Sequence, residues 1–372
     1  LDLNPILEEG LMKFLTGMFV LLSAVLAPKV SSGAAGEQPP PVTLNWGGFI
    51  QDWSTLGPNS NSEDVNAGNF LKHFRFRMAA EAYDGITVVL VPELAGQSVT
   101  QTAGFGFTLL DAYAAFDLSK TMSDWSPPLT ITVGQFKTPF GLNRMYTPAQ
   151  LLLVDYSSIY NGAGGVMRMS SFWDDGIMLT WKQGSWLKMD VAWVEGLGIN
   201  QAMPGGTAFG TKPSQDFSGK LDLVPAPGLT LGGSIYHGEA YSASGTPGYP
   251  GYPKIFSGAH IKYVMSGKSF AAELEYISRS GDNAPTIPQT GNRFGMTAQV
   301  SQYLMDQLQL VAGCDAVTDL GTDRNDSTRF LGGVNWYPGG PVRISLQQLG
   351  IATGPSAQPT AGVSILQTQV TW

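Results

Sequence analysis

The sequence predicts an all-β chain, a transmembrane antiparallel β-barrel of about sixteen strands with short turns at one end and long loops at the other. Three observations carry this. Segments of about ten residues alternate apolar and polar side chains with no helical period between them, the pattern of strands with one apolar and one wet face. Composition agrees: 46 Gly, 24 Pro, 11% aromatic and 13% charged residues in 372 describe a turn-rich chain well below the usual quarter charged. The connections, finally, sort by length in alternation, which a soluble sandwich or jelly roll has no reason to do.

The chain opens on an expected address. Met12-Lys13 begins a short basic region, Phe14–Ala27 is an apolar run, and Ser31–Ala35 supplies small residues, together a secretory signal peptide cleaved after Ala34 or Ala35. Pro28 and Lys29 stop the run before the roughly 20 residues a retained helical anchor needs. The expected organisation is therefore upstream residues and signal peptide over 1–34, a Pro-rich tether over 35–41, and the barrel over 42–372.

Strands are expected at Val42–Ser54, Phe70–Ala82, Ile86–Leu94, Phe107–Leu118, Leu129–Lys137, Trp173–Lys182, Trp186–Glu195, Gln215–Pro225, Leu229–Glu239, Ile255–Val264, Ser269–Arg279, Asn292–Gln302, Gln307–Val317, Thr328–Tyr337, Val342–Leu349 and Gly362–Trp372. Each is around ten residues, about the length that crosses a bilayer at a tilt. Tight connections such as Tyr83-Asp84-Gly85, Gln183-Gly184-Ser185 and Ala226-Pro227-Gly228 alternate with long ones, with Ser119–Pro128 as the exception among the turns. The longest loop, Thr138–Phe172, follows the fifth strand. An even strand count puts both ends of the barrel on one side, and the last strand ends on Trp372 like the terminal strand of a bacterial outer-membrane barrel.

Charge decides which face is wet. The second strand sets Phe74, Phe76, Met78 and Ala80 against His73, Arg75, Arg77 and Glu81; turning that second set to lipid would cost about 2–4 kcal/mol for each midplane Arg. Lys188 and Asp190, Glu273 and Glu275, Arg329 and Asn335, Arg343 and Gln347 follow the same rule in later strands. The charged faces must line an aqueous lumen. Trp46, Trp173, Trp181, Trp193, Trp336, Tyr263 and Tyr276 form the expected aromatic girdle. For any single inward charge, a salt bridge that stiffens the wall competes with solute binding as its role.

The stretch Leu129–Arg144, LTITVGQFKTPFGLNR, connects wall to loop. Strict alternation sets Lys137 on the face of Val133 unless the strand is broken at Gly134. Its Gly134-Gln135-Phe136-Lys137-Thr138-Pro139-Phe140-Gly141 segment, with Phe74-Arg75-Phe76-Arg77, Leu110-Asp111-Ala112-Tyr113, Asp175-Gly176-Ile177 and Gly333-Val334-Asn335-Trp336-Tyr337-Pro338, resembles the phosphate-selective porin O and P family. The resemblance implies a sixteen-stranded homotrimeric channel in which the loop after the fifth strand folds inward as the constriction. Phosphate-specific members carry ladders of Arg and Lys, since a partly dehydrated anion needs closely spaced cationic donors. The anion-attracting candidates here are Arg75, Arg77, Arg329 and Arg343 on the wall and Lys137, Arg144 and Arg168 at the constriction. Glu81, Asp111, Asp117, Asp190, Asp222, Glu273 and Glu275 share their face, which points to a general or weakly anion-biased pore.

These readings define a bacterial outer-membrane porin that passes small hydrophilic solutes or anions, embedded in outer-membrane lipid. A closed barrel serving as an anchor or surface receptor is the alternative. A net charge of −8 speaks against nucleic acid. Cys314 is the single cysteine, which excludes an intrachain disulfide or a zinc cluster. His73, His237 and His260 stand in no recognisable arrangement with a serine and an acid, so neither a phospholipase nor any other enzyme is expected. No cofactor or metal is expected; the acidic Asp319–Asp326 loop lacks the ligand order of an EF-hand.

Overall fold

A computed structural model describes residues 42–58, 65–96, 105–121, 127–160, 173–196, 215–240, 252–281, 292–319, 327–353 and 360–372. The expected signal peptide and tether lie outside them, as do Arg168 and the acidic loop after Asp319. Sixteen strands are present: β1 (Thr43–Pro58), β2 (Val65–Tyr83), β3 (Ile86–Gly96), β4 (Phe105–Asp117), β5 (Leu129–Lys137), β6 (Trp173–Gln183), β7 (Leu187–Val194), β8 (Asp216–Ala226), β9 (Leu229–Ala240), β10 (Tyr252–Val264), β11 (Phe270–Gly281), β12 (Arg293–Met305), β13 (Leu308–Asp319), β14 (Ser327–Gly339), β15 (Val342–Thr353) and β16 (Thr360–Thr371). Every strand pairs antiparallel with its sequence neighbour, and β1 pairs with β16 to close the barrel. Closure satisfies every edge, the condition for a sheet to sit in lipid.

Several strands outrun the expected boundaries. β2 begins at Val65 rather than Phe70, because β1 itself continues to Pro58 and pairs with it there. The long connection Ser119–Pro128 contains a single turn of helix, α1 (Leu118–Thr121), whose start is held by Ser119 N–H and Oγ–H donating to Asp117 Oδ1 at 3.0 and 2.6 Å.

The two faces separate as the charge argument requires. Outward, Leu274, Tyr276, Met296, Val300, Leu310, Phe330, Trp336 and Leu346 are exposed, while inward Glu273, Glu275, Gln299, Asp315, Arg329, Asn335 and Gln347 on the same strands are buried. One aromatic departs from the girdle. Trp173 is buried on the lumen side, where its indole N–H donates to Asp111 Oδ1 at 3.1 Å and its ring receives Arg75 and Lys137 at 5.5 and 4.9 Å. An indole between two cations and a carboxylate is better solvated there than at a lipid interface.

Gly134 stands at φ +119°, a conformation L side chains avoid, but it does not reset the alternation: neither pairing of β5 shifts register there, Thr132 and Phe136 are buried in phase on either side of it, and β5 pairs with β6 through Lys137↔Trp173. Pairing of β5 with β4 ends at Ala112↔Gln135, and the Gln135 amide caps the opened edge by donating to the carbonyls of Leu109 and Leu110 at 2.5 and 2.8 Å. Lys137 Nζ then bonds Tyr146 O at 2.6 Å, inside the lumen.

Because Leu274 lies outward near the middle of β11, Leu274→Arg is expected to destabilise the barrel by about 2–4 kcal/mol. Reversible urea unfolding in detergent or lipid, followed by tryptophan fluorescence, measures this; an unchanged midpoint would contradict the assigned face.

Candidate functional site

A peptide segment that leaves the sheet and enters the lumen brings backbone N–H and C=O groups that must find partners. Residues 138–160, the described part of the long loop, find them on the barrel wall. Ser218 of β8 donates to Pro139 O at 2.7 Å, and Ser234 of β9 accepts from Gly141 N–H at 3.0 Å. Glu275 of β11 accepts the N–H groups of Leu142 and Asn143 and the hydroxyl of Tyr160. Farther along, Gln51 of β1 donates to Pro148 O at 3.2 Å, Arg343 of β15 to Leu151 O at 2.7 Å, and Asn335 of β14 to Leu152 O at 3.0 Å. Gln347 Oε1 accepts from Val154 N–H at 3.0 Å, and Arg329 donates to Tyr156 O. Asp315 of β13 takes Ser157 Oγ–H at 2.8 Å and Ser158 N–H at 2.9 Å. The segment thus crosses the lumen from β8 to β1.

Apolar side chains anchor the same crossing at two points. Phe140, Ile159 and Tyr160 pack with Tyr236, Phe256, Ile277 and Val317 of the wall. Leu153 and Val154 pack with Trp53, Val311, Leu331 and Ile365. Two short 3₁₀ turns, Asn143–Met145 and Pro148–Gln150, bend the chain between these anchors. The second is closed by a reciprocal cap, with Thr147 N–H donating to Gln150 Oε1 at 2.9 Å and Gln150 N–H to Thr147 O at 2.9 Å.

The expected anion-attracting residues separate into distinct roles. Arg75 bonds Glu93 at 2.8 Å and lies between the rings of Phe49 and Trp173. Arg329 bonds Asp315 at 2.7 Å, and Arg343 is spent on Leu151 O and on Gln369 Oε1, each at 2.7 Å. Arg144 is fully buried in the loop; burial lowers its pKa to about 10 against the pull of Tyr236, Tyr160 and Asp174, so it is a cation at neutral pH. Lys137 sits over the Tyr156 and Trp173 rings. Arg77 alone of the described set is exposed, beside the Tyr113 hydroxyl. What sequence reasoning missed is that Arg329 and Arg343 hold the loop as well as line the wall. Their partners lie 173 and 192 residues away, beyond any local pattern.

Other wall charges pair with one another. Lys188 meets Asp190 at 2.7 Å, Lys262 meets Glu273 at 3.2 Å, Lys220 meets Asp222, and His260 Nε2 lies 2.9 Å from Asp222 Oδ1. The last contact passes over β9, which is possible because Gly232 stands beneath it; a Cβ there would fall 2.3 Å from the imidazole and 2.6 Å from the carboxylate. Among the described residues no group of His, Cys, Asp and Glu is arranged to hold a metal ion.

The fold and its occupied lumen define a sixteen-stranded membrane-spanning barrel with an inward loop after the fifth strand. The sequence matches no family model and no curated protein. Solved structures share the architecture. The outer membrane channel DcaP of Acinetobacter baumannii superposes with a TM-score of 0.62 at 11% identity, over 91% of this chain and 100% of that one. The anion-selective porin from Comamonas acidovorans gives 0.60 at 7% identity, over 89% and 100%. OmpT of Vibrio cholerae gives 0.58 at 11%, over 91% and 100%. At these identities the likeness is one of fold.

Glu275→Gln removes the charge that gathers two loop amides and a phenol, and is expected to weaken loop anchoring by about 2–4 kcal/mol. Trypsin cleavage after the buried Arg144 in the folded barrel would then accelerate; wild-type resistance in this variant would show that the loop is held elsewhere.

Proposed function

We propose that the chain is an outer-membrane porin, a non-enzymatic channel through which small hydrophilic solutes diffuse, with a weak preference for anions. The observation that carries it is the closed barrel with a charged, hydrogen-bonded lumen, into which a loop is pinned as a narrowing rather than as a separate plug domain. Outer-membrane residence, export through a cleaved signal peptide over residues 1–34 and a homotrimeric assembly belong to the same reading. The leader pattern supports the second of these, and a neighbour of this fold, OmpT of Vibrio cholerae, is described in a trimer form.

The anion preference rests on fewer residues than the sequence offered. Arg75 and Arg329 are paired with wall acids, Arg343 gives donors to the neutral Leu151 O and Gln369 Oε1, and Lys137 bonds Tyr146 O, which leaves the exposed Arg77 as the charge best placed to bias passing ions. A phosphate-selective channel of the O and P type would need a longer run of uncompensated cations. The motif resemblance supports that narrower reading; the ion-paired wall favours a general porin. The extent of loop anchoring, from β8 round to β1, favours one competing view, a closed barrel serving as anchor or receptor.

Planar-bilayer recording of the refolded chain under a KCl gradient separates these. Stepwise conductance with a chloride-favouring reversal potential is expected, and Arg77→Glu should lower the chloride-to-potassium permeability ratio roughly two- to tenfold. A cation preference in the wild type would remove the anion bias; a folded, non-conducting barrel would replace the porin with the closed-barrel reading.

A further inference from the structure

At the turn end of the lumen, between the loop and strands β10–β16, lies a cavity of about 420 Å³. Its lining joins an aromatic and apolar side to a charged one. Tyr303 and Tyr337 stand with ring centroids 5.9 Å apart and planes inclined 30°, with Tyr146, Leu152, Val264 and Ala271 continuing the surface. Opposite in character are Arg343, Lys262 and Glu273.

The charges are not equivalent. Glu273, the one acid among the described lining residues, is already neutralised: Lys262 lies 3.2 Å away, and Tyr146 Oη–H and Gln299 Nε2–H donate to it at 2.7 and 2.6 Å. Lys262 is compensated by the same contact. Arg343 differs from both. Its guanidinium is buried, its acceptors are the neutral Leu151 O, Gln369 Oε1 and Tyr337 hydroxyl, and among the described residues Nε has no acceptor and no carboxylate is paired with it. A buried cation solvated only by neutral dipoles is an incomplete arrangement that an incoming anion improves. The planar fork of Arg suits a carboxylate, which it can take through two parallel bonds.

We propose that this cavity is a binding subsite for a small organic carboxylate, its anionic end on Arg343 and its planar or apolar body against Tyr146, Tyr303 and Tyr337. The volume suits a molecule of benzoate size, and the aromatic wall explains why an inorganic anion is the poorer guest: it gains nothing from apolar contact. The inference rests on the porin reading only for the route by which the solute arrives. Passage would pause at the turn end, below the narrowing made by the loop.

The test is calorimetric titration of the refolded full chain in detergent with benzoate, benzamide and inorganic phosphate, with folding monitored by heat-modifiable gel mobility. Benzoate is expected to bind at least tenfold more tightly than either comparator. Arg343→Lys keeps the charge but loses the fork and should weaken benzoate about tenfold, and Arg343→Gln should erase its advantage over benzamide. If the Arg343 variants do not fold, Tyr303→Leu carries the test and should weaken benzoate and benzamide together by fivefold or more. Equal binding of the three probes, tighter binding of phosphate, or benzoate affinity untouched by these substitutions would overturn the site. Benzoate binding to a chain that does not conduct would sink the porin reading and leave the site standing.

Discussion

The structure depends on how an irregular peptide segment is accommodated inside a barrel. Carboxylates of the wall take its N–H groups, as Glu275 does for Leu142 and Asn143 and Asp315 for Ser158; guanidinium and amide groups take its carbonyls, as Arg343 does for Leu151 and Asn335 for Leu152. Each contact settles two problems at once, since an inward charge and an orphan backbone dipole would both be costly alone. The mixed charge of the lumen therefore has a structural explanation before it has a functional one.

The architecture was legible in the sequence because a barrel writes itself in a local code. Alternation along β2, β11 and β14 fixes which face meets lipid, and the sorted connections fix the number of crossings. Lys137 stood out of phase with its strand, but it reaches the lumen past the end of the β4 pairing and not through a reset at Gly134, which no local pattern announced. The girdle assignment failed at Trp173 for a reason that no local pattern contains: the residue begins β6 where the loop returns, and its surroundings are Arg75 from β2 and Asp111 from β4.

The roles of the individual cations were less legible. Arg75, Arg329 and Arg343 read alike in sequence, each alternating with apolar neighbours, yet one is paired with an acid and wedged between rings, one bridges an acid and a carbonyl, and one has neutral partners only. Such differences arise from segments that meet in the lumen, and they separate a wall-stiffening charge from one available to a solute. Gly232 shows the same limit from the other side, as a residue whose value lies in the His260–Asp222 contact that passes above it.

The anchoring of the loop also bears on the order in which the molecule can form. Residues 138–160 lie in the first half of the chain, but more than half of their wall partners sit on β13, β14, β15, β16 and β1, and β1 itself waits for β16. The loop cannot take its place until nearly the whole chain has been made and the last strand has met the first. Contacts of such sequence separation make folding slow and late in commitment, so narrowing the lumen and closing the barrel become one event, and a partly assembled barrel has no seated loop.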